Sequence, residues 1–295
     1  MKRNALNPGK HEIFRSNSMH ALNATDLSRE LNTCRVGKRI VVLSEIGSTN
    51  TYTLETIAPE GAITDGTVVV AERQTAGRGR LGRSWESPAG ASLMFTVLLW
   101  ERERARRPAF WMMAAGVSVV CGIEAVTDVA PIIRWPNDVY VGEKKLAGIL
   151  VESRWEENQE RKLDPVEQKF GDRVPVVIGI GVNCLQQTGH FSEEIRESAT
   201  SLDLISSHPV DRTAVCRSIL SSLDHYLNAN HHVSDEQLTK EWFEHSGDIG
   251  ARATLVSRGE EFSGRIVDVH PKQGLVLQLD TGARKHFDPA TTSRL

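Results

Sequence analysis

The densest chemistry in this sequence is the run Gln74-Thr-Ala-Gly-Arg-Gly-Arg-Leu-Gly-Arg83, in which three glycines alternate with three arginines. Glycine tolerates positive φ and lets backbone N–H groups converge on an anion. Arginine adds fixed positive charge and paired donors suited to phosphate or carboxylate. A loop holding both ingredients fits a nucleotide phosphate chain. The competing reading is an RNA-binding Arg/Gly segment or a merely flexible loop. Strand signals flank the run, at Thr67–Glu72 and Ser92–Trp100, and rigid strands hold a loop in place.

Four other stretches carry polar groups at positions the backbone would fix. In Arg134-Trp-Pro-Asn-Asp138, Pro136 sets φ and restricts Trp135, so a stiff turn presents Asn137 and Asp138. Pro-Asn-Asp is also ordinary turn chemistry. Lys145-Leu-Ala-Gly-Ile-Leu150 opens an apolar strand with a lysine, and Gly148 leaves room for a ligand or a neighbouring backbone. An ammonium beside an apolar wall can hold a carboxylate and then a mixed anhydride made from it; alone, it is equally a surface lysine. Gly179-Ile-Gly-Val-Asn183 reads either as bare backbone for a ligand or as tight sheet packing. Gly47-Ser-Thr-Asn50 lies at a strand-to-helix turn, where hydroxyls and helix N–H groups bind a polar head or simply cap the helix.

The elements that must position these residues follow from periodicity. Ile40–Ile46, Thr67–Glu72, Ser92–Trp100, Lys145–Glu152 and Val174–Asn183 read as strands, with short ones at Ile132–Arg134 and Val139–Val141. Ser48–Ile57, Pro108–Val126, Asp211–Asn228 and Asp235–His245 read as helices. Residues 1–38 are polar and read as an N-terminal extension with a short helix at Asn23–Leu31. Residues 39–246 form the large domain, interrupted by a charged, solvated insertion at 155–172. A boundary near Gly247–Gly250 opens a small β domain over 247–295.

Composition narrows the function classes. The net charge of −3 argues against a protein held to nucleic acid by bulk electrostatics, and Glu101–Arg107 is mixed in sign, a solvated face. No apolar run spans a bilayer and no secretory leader is visible, so a cytoplasmic chain without a membrane partner is expected. Four widely spaced cysteines, with no CxxC pair, read as mostly buried, reduced thiols.

Taken in order, Ser-Thr-Asn, Gly-Arg-Gly-Arg-x-Gly-Arg, Trp-Pro-Asn-Asp, Lys-Leu-Ala-Gly-Ile-Leu, Gly-Ile-Gly-Val-Asn and a small β domain closely resemble the biotin–protein ligase family, over about residues 39–295. The resemblance implies an α+β fold: a catalytic domain of mixed β-sheet flanked by helices, like the class II synthetases, and a C-terminal SH3-like β-barrel. It implies ATP and Mg²⁺ as cofactors and biotin as substrate, activated to biotinyl-5′-AMP and passed to a lysine of the biotin carboxyl carrier protein of acetyl-CoA carboxylase or a similar carrier domain. It places Ser48, Thr49, Asn50, Gln74, Arg78, Gly79, Arg80, Lys145, Gly148 and Gly179 around biotin, and Arg78, Arg80, Arg83, Trp85, Asn137 and Asn183 around the nucleotide. Arg80 and Lys145 carry the catalytic charge stabilisation; the metal ligands are unassigned, with Asp138 beside the site. One departure is visible: the family's Trp-Pro-Asn-Asp usually follows lysine, and here it follows Arg134. The stretch ahead of residue 39 has no room for a winged helix, so no operator DNA binding is expected, and the chain is read as a monomer or homodimer. The rival readings are a lipoate or octanoate ligase or transferase, which shares the scaffold, and a non-enzymatic RNA-binding or adaptor protein.

Overall fold

The structure is a computed structural model that describes residues 21–102, 107–153, 173–228, 233–270, 274–289 and 291–294. The charged insertion expected at 155–172 lies outside the described residues. Seven strands build the large sheet: β1 (Ile40–Leu43), β2 (Val68–Ala71), β3 (Ser92–Arg102), β4 (Ile132–Arg134), β5 (Asp138–Val141), β6 (Lys144–Ser153) and β7 (Arg173–Asn183). Their order is β1-β2-β3-β7-β6-β5-β4. The pair β1–β2 is parallel and the other neighbours are antiparallel, which makes the sheet mixed. The long central strands explain their sequences: residues 92–100 of β3 are buried without alternation, because helices or loops cover both faces of the sheet there.

Six α-helices accompany the sheets among the described residues: α1 (Ala24–Ser28), α2 (Thr49–Tyr52), α3 (Pro108–Glu124), α4 (Leu202–Ile205), α5 (Arg212–Leu227) and α6 (Asp235–His245). Helix α3 starts with Pro at its first position, where a missing N–H costs nothing, and is buried along nearly its whole length. Helix α5 is capped by Asp211, whose side chain accepts from Thr213 N at 2.8 Å, and α6 by Ser234.

Residues 21–38, taken above as part of an extension, are packed into the main core through Leu22, Leu27 and Val36. Their attachment is polar as well as apolar. The buried Asp224 carboxylate on α5 accepts the N–H groups of Cys34, Arg35 and Val36, each at 2.7 Å. Arg35 donates to Asp65 and to Glu101, both at 2.8 Å. Burial works against its charge, but the two carboxylates more than offset that and hold the guanidinium above the ordinary arginine value. Glu101 therefore belongs to this network and not to a solvated face.

The C-terminal residues form a second, antiparallel sheet from β8 (Arg252–Ser257), β9 (Glu260–His270), β10 (Gly274–Leu279), β11 (Arg284–Phe287) and β12 (Thr292–Arg294), in the order β11-β10-β9-β8-β12. Leu255, Ile266, Leu275, Leu277 and Phe287 are its buried centre. The linker that enters it runs beside β4: Gly247 N donates to Ile133 O at 3.2 Å, and Asp248 accepts Trp135 N at 2.6 Å. The two sheets thus meet at the turn that carries Asn137 and Asp138. Among the described residues no helix is long and apolar enough to cross a membrane.

Candidate active site

A cavity of about 300 Å³ opens where the ends of β5, β6 and β7 meet α2 and the Arg/Gly loop. It brings together the predicted Ser48, Thr49, Asn50, Gln74, Arg78, Gly79, Arg80, Arg83, Trp85, Asn137, Asp138, Lys145, Gly148 and Gly179 from five separate segments. The predicted Asn183 is not in its lining. Its amide is buried in a structural knot instead, with Nδ2 donating to Thr200 O at 2.9 Å and Oδ1 accepting from Gln186 Nε2 at 2.8 Å. By strand alternation Asn183 shares the face of Gly179 and Gly181, but it ends the strand, and Thr200 and Gln186 fold over its amide there.

At the end of the cavity beside α2, the turn is locked by polar contacts to neighbouring elements. Thr49 donates from both N and Oγ1 to Gln74 Oε1, at 2.7 and 3.0 Å. Asn50 Nδ2 donates to Leu150 O at 3.2 Å and to Glu152 Oε2 at 2.9 Å. Thr96 Oγ1 lies 2.8 Å from Thr49 Oγ1 and 2.6 Å from Asn50 Oδ1, and its one proton serves one of them. Ser48 holds the N-cap position of α2 by backbone angle but makes no side-chain cap bond, so capping does not occupy its hydroxyl. A Cβ on Gly179 would fall 2.3 Å from Asn50 Oδ1, so this glycine is required by Asn50. The bare backbone expected there is covered by a side chain of the protein itself.

The floor of the cavity is the cross-strand pair Gly148 and Gly181. The Trp85 indole lies on it: a Cβ would come 3.1 Å from Cζ3 at Gly148 and 2.7 Å from Cε2 at Gly181. Trp85 Nε1 is buried with no hydrogen-bond partner among the described residues. Lys145 Nζ stands 5.8 Å from the Trp85 ring and 2.6 Å from Asp138 Oδ1. The lysine is fixed at both ends of its own peptide unit, with N donating to Ser198 O at 2.7 Å and O accepting from Thr200 N at 2.9 Å.

The loop arginines sit in different surroundings. Arg78 is exposed and pairs with Glu152 and with Thr51 Oγ1 at 3.2 Å. Arg80 is the enclosed one: it donates to Asn137 Oδ1 at 3.1 Å, to Thr292 O at 2.7 Å and to Pro289 O. Burial lowers its pKa from the ordinary value; Asp138 opposes the shift and Arg83 adds to it. Leu81, at the loop tip, takes a left-handed φ of 54° and is exposed. Arg134 also lines the cavity; its guanidinium stacks 4.5 Å over the Tyr140 ring and pairs with Glu143 at 2.7 Å. That stacking uses the planar group that a lysine lacks. Just after the cis Trp135–Pro136 peptide, Asn137 Nδ2 and Ile149 N close a reciprocal pair of 2.9 Å bonds with Ile149 O and Asn137 O.

Sequence reasoning missed Thr96, Glu152, Ser293 and Arg294. Thr96 was findable, as the one polar side chain inside the apolar run 93–100. Glu152, at the polar end of a strand, carried a weaker signal. Ser293 and Arg294 line the cavity from the C-terminal sheet, and no local pattern announces them.

A mixed sheet backed by helices, a basic glycine loop over a glycine floor, and a β domain closing one wall surround one cavity whose lining is rich in cations and suits an anionic ligand. Residues 42–162 match the model of the biotin/lipoate A/B protein ligase family. The chain is 32% identical to the biotin–[acetyl-CoA-carboxylase] ligase of Mycobacterium tuberculosis, over 84% of this chain and 85% of that protein. It is 30% identical to the bifunctional ligase/repressor BirA of Bacillus spizizenii, over 90% of this chain and 77% of that protein. Its fold matches the Aquifex aeolicus biotin protein ligase, solved in complex with biotin and ATP, with a TM-score of 0.69 and 27% identity over 88% of this chain and 100% of that one. The chain belongs to the biotin–protein ligase family.

Proposed function

We propose that the chain activates biotin with ATP and transfers the biotinyl group to one lysine of a carrier domain, and that the cavity described above is where both steps occur. The observation that carries the assignment of the site is the meeting of Lys145, Arg78, Arg80 and Arg83 on one cavity with a glycine-paired floor. Cations there suit the α-phosphate and the carboxylate; the hydroxyl and amide cluster of Ser48, Thr49, Asn50 and Gln74 suits a polar ring system at the far end.

A carboxylate is a poor electrophile. In the first step a biotin carboxylate oxygen attacks the α-phosphorus of ATP, an O–P bond forms, and pyrophosphate leaves. Lys145 and Arg80 neutralise charge that builds on the α-phosphoryl oxygens; each such preorganised donor is worth on the order of 10²–10³ in rate. In the second step the carrier lysine amine attacks the acyl carbon and AMP leaves. Trp85 covers the anhydride against water in between. Gly79 and Gly148 give the ligand and Trp85 close approach, Gly179 makes room for Asn50, and Asn137 orients Arg80. Asp138 is the one carboxylate among the cavity-lining residues. That donor set fits Mg²⁺ carried in mainly by ATP oxygens and water, with Asp138 the residue that would hold it; the ion then supplies charge neutralisation.

The carrier is proposed to be that of acetyl-CoA carboxylase, the substrate named for the Mycobacterium tuberculosis relative. The repressor half of the Bacillus relative's name is not part of this proposal. The matching family model also takes in lipoate ligases, so one assay should weigh both acids. A carrier domain incubated with the protein, Mg-ATP and either biotin or lipoate is analysed by mass spectrometry. Gain of one biotinyl group is expected; no gain with biotin, or gain with lipoate alone, rejects the proposal.

A further inference from the structure

Asp248 lies in the linker between the two sheets and is 1% exposed. Its two oxygens serve two different parts of the molecule. Oδ2 accepts Trp135 N at 2.6 Å, at the head of the turn that presents Asn137 and Asp138. Oδ1 accepts Arg294 Nη1 from β12. The linker itself is fixed: Asp248 N donates to Ser246 Oγ at 3.1 Å, and Asp248 O accepts from Ala251 N at 2.9 Å. Arg294 has its far side in the cavity, with the side chain 26% exposed, beside Arg80, Arg83 and Arg134. Among the described residues Asp248 is the one hydrogen-bond partner of its guanidinium.

A buried ion pair is a poor device for stability alone, since desolvating two charges costs about what their attraction returns. Here one end of the pair is buried and the other reaches solvent in a cavity lined by cations. That is the arrangement needed to hold a guanidinium at a fixed angle toward an incoming polyanion. We propose that Asp248 is a positioning residue for the nucleotide side of the site. It acts through Arg294 and through the Trp135 backbone, and so makes the C-terminal domain one jaw of the ATP clamp. The inference rests on the ligase reading above.

The test is biotin-dependent ATP–pyrophosphate exchange on the full chain. Asp248→Asn keeps the shape and one acceptor but removes the charge that aims Arg294. Its KM for ATP should rise roughly tenfold or more, the size of one charge-assisted hydrogen bond, while KM for biotin stays within about twofold. Arg294→Met should show the same split, and the double variant should match Arg294→Met alone, because the Asn amide oxygen still accepts Trp135 N and only the path through Arg294 is cut. A merely structural role would lower the amount of active protein without moving KM for ATP. A normal KM for ATP in Asp248→Asn, or additive effects in the double variant, overturns the inference while leaving the ligase reading in place. Should Asp248→Asn fail to fold, Arg294→Met decides: a wild-type KM for ATP there overturns the inference. Absence of exchange in the wild-type protein sinks both.

Discussion

Gly148 and Gly181 stand opposite each other on β6 and β7, and the Trp85 indole rests in the space their missing side chains leave. The relationship ties a loop to a sheet through shape alone. The loop can seat its tryptophan there only while both positions stay bare, and any group that takes the floor must move the ring or share it.

Gly181→Ala puts a methyl 2.7 Å from Trp85 Cε2, closer than real carbons approach. The indole must lift by several tenths of an ångström, with the loop that carries Arg78, Arg80 and Arg83. Adenylate formation should fall roughly ten- to hundredfold, as misplacements of about 1 Å do. The thermal midpoint should stay close to wild type. Single-turnover trapping of the adenylate measures this, and an unchanged rate would mean the ring position is irrelevant to the chemistry.

Lys145→Ala removes the ammonium that pairs with Asp138 at 2.6 Å. The backbone of residue 145 stays bonded to 198 and 200, so the strand should survive. Adenylate formation should drop at least about tenfold. Near-normal pyrophosphate release from this variant would take Lys145 out of the site.

Arg80→Ala should produce two effects that can be read separately. Adenylate formation should fall by on the order of 10² or more. The C-terminal sheet should also loosen, because Arg80 donates to the carbonyls of Pro289 and Thr292. Limited proteolysis should then cut near 247–251 faster than in the wild type. Equal cleavage rates would show that these bonds do not hold the domains together.

The thiols should separate by burial. Cys184 is buried and its pKa is pushed up to about 12 by burial, so at pH 8 roughly one molecule in ten thousand carries the reactive thiolate there. Burial pushes Cys216 up as well, whereas Cys34 is exposed. Iodoacetamide at pH 8 should label Cys34 first and leave Cys184 and Cys216 untouched until denaturant is added; peptide mapping gives the order. Raising the pH toward 12 raises the Cys184 thiolate fraction, so its protection should weaken in that direction.

Much of this was legible in the residues. The apolar runs at 92–100 and 174–182 announced central strands, and Pro108 marked the start of α3, because those signals are local. The cavity lining was legible where it consists of glycine, arginine and lysine in tight groups. What stayed hidden depends on contacts across long separations. Asp248 meets Trp135 across 113 residues and Arg294 across 46, and nothing near any of the three marks the meeting. Asn183 failed for the opposite reason: its local setting matched a ligand strand, but Thr200 and Gln186 fold back to satisfy its amide. Polarity at 21–38 hid a packed segment, since its anchor, Asp224, sits on a helix far along the chain.

The seam at Asp224 has a practical side. Shortening the chain to start at Arg39, as its polar beginning invites, would withdraw three amide donors from one enclosed carboxylate. An orphaned charge of that kind typically costs about 3–5 kcal/mol, a large share of what keeps any domain folded. A trimmed version would therefore emerge as aggregate or as a loosened protein, and its inactivity would say nothing about catalysis.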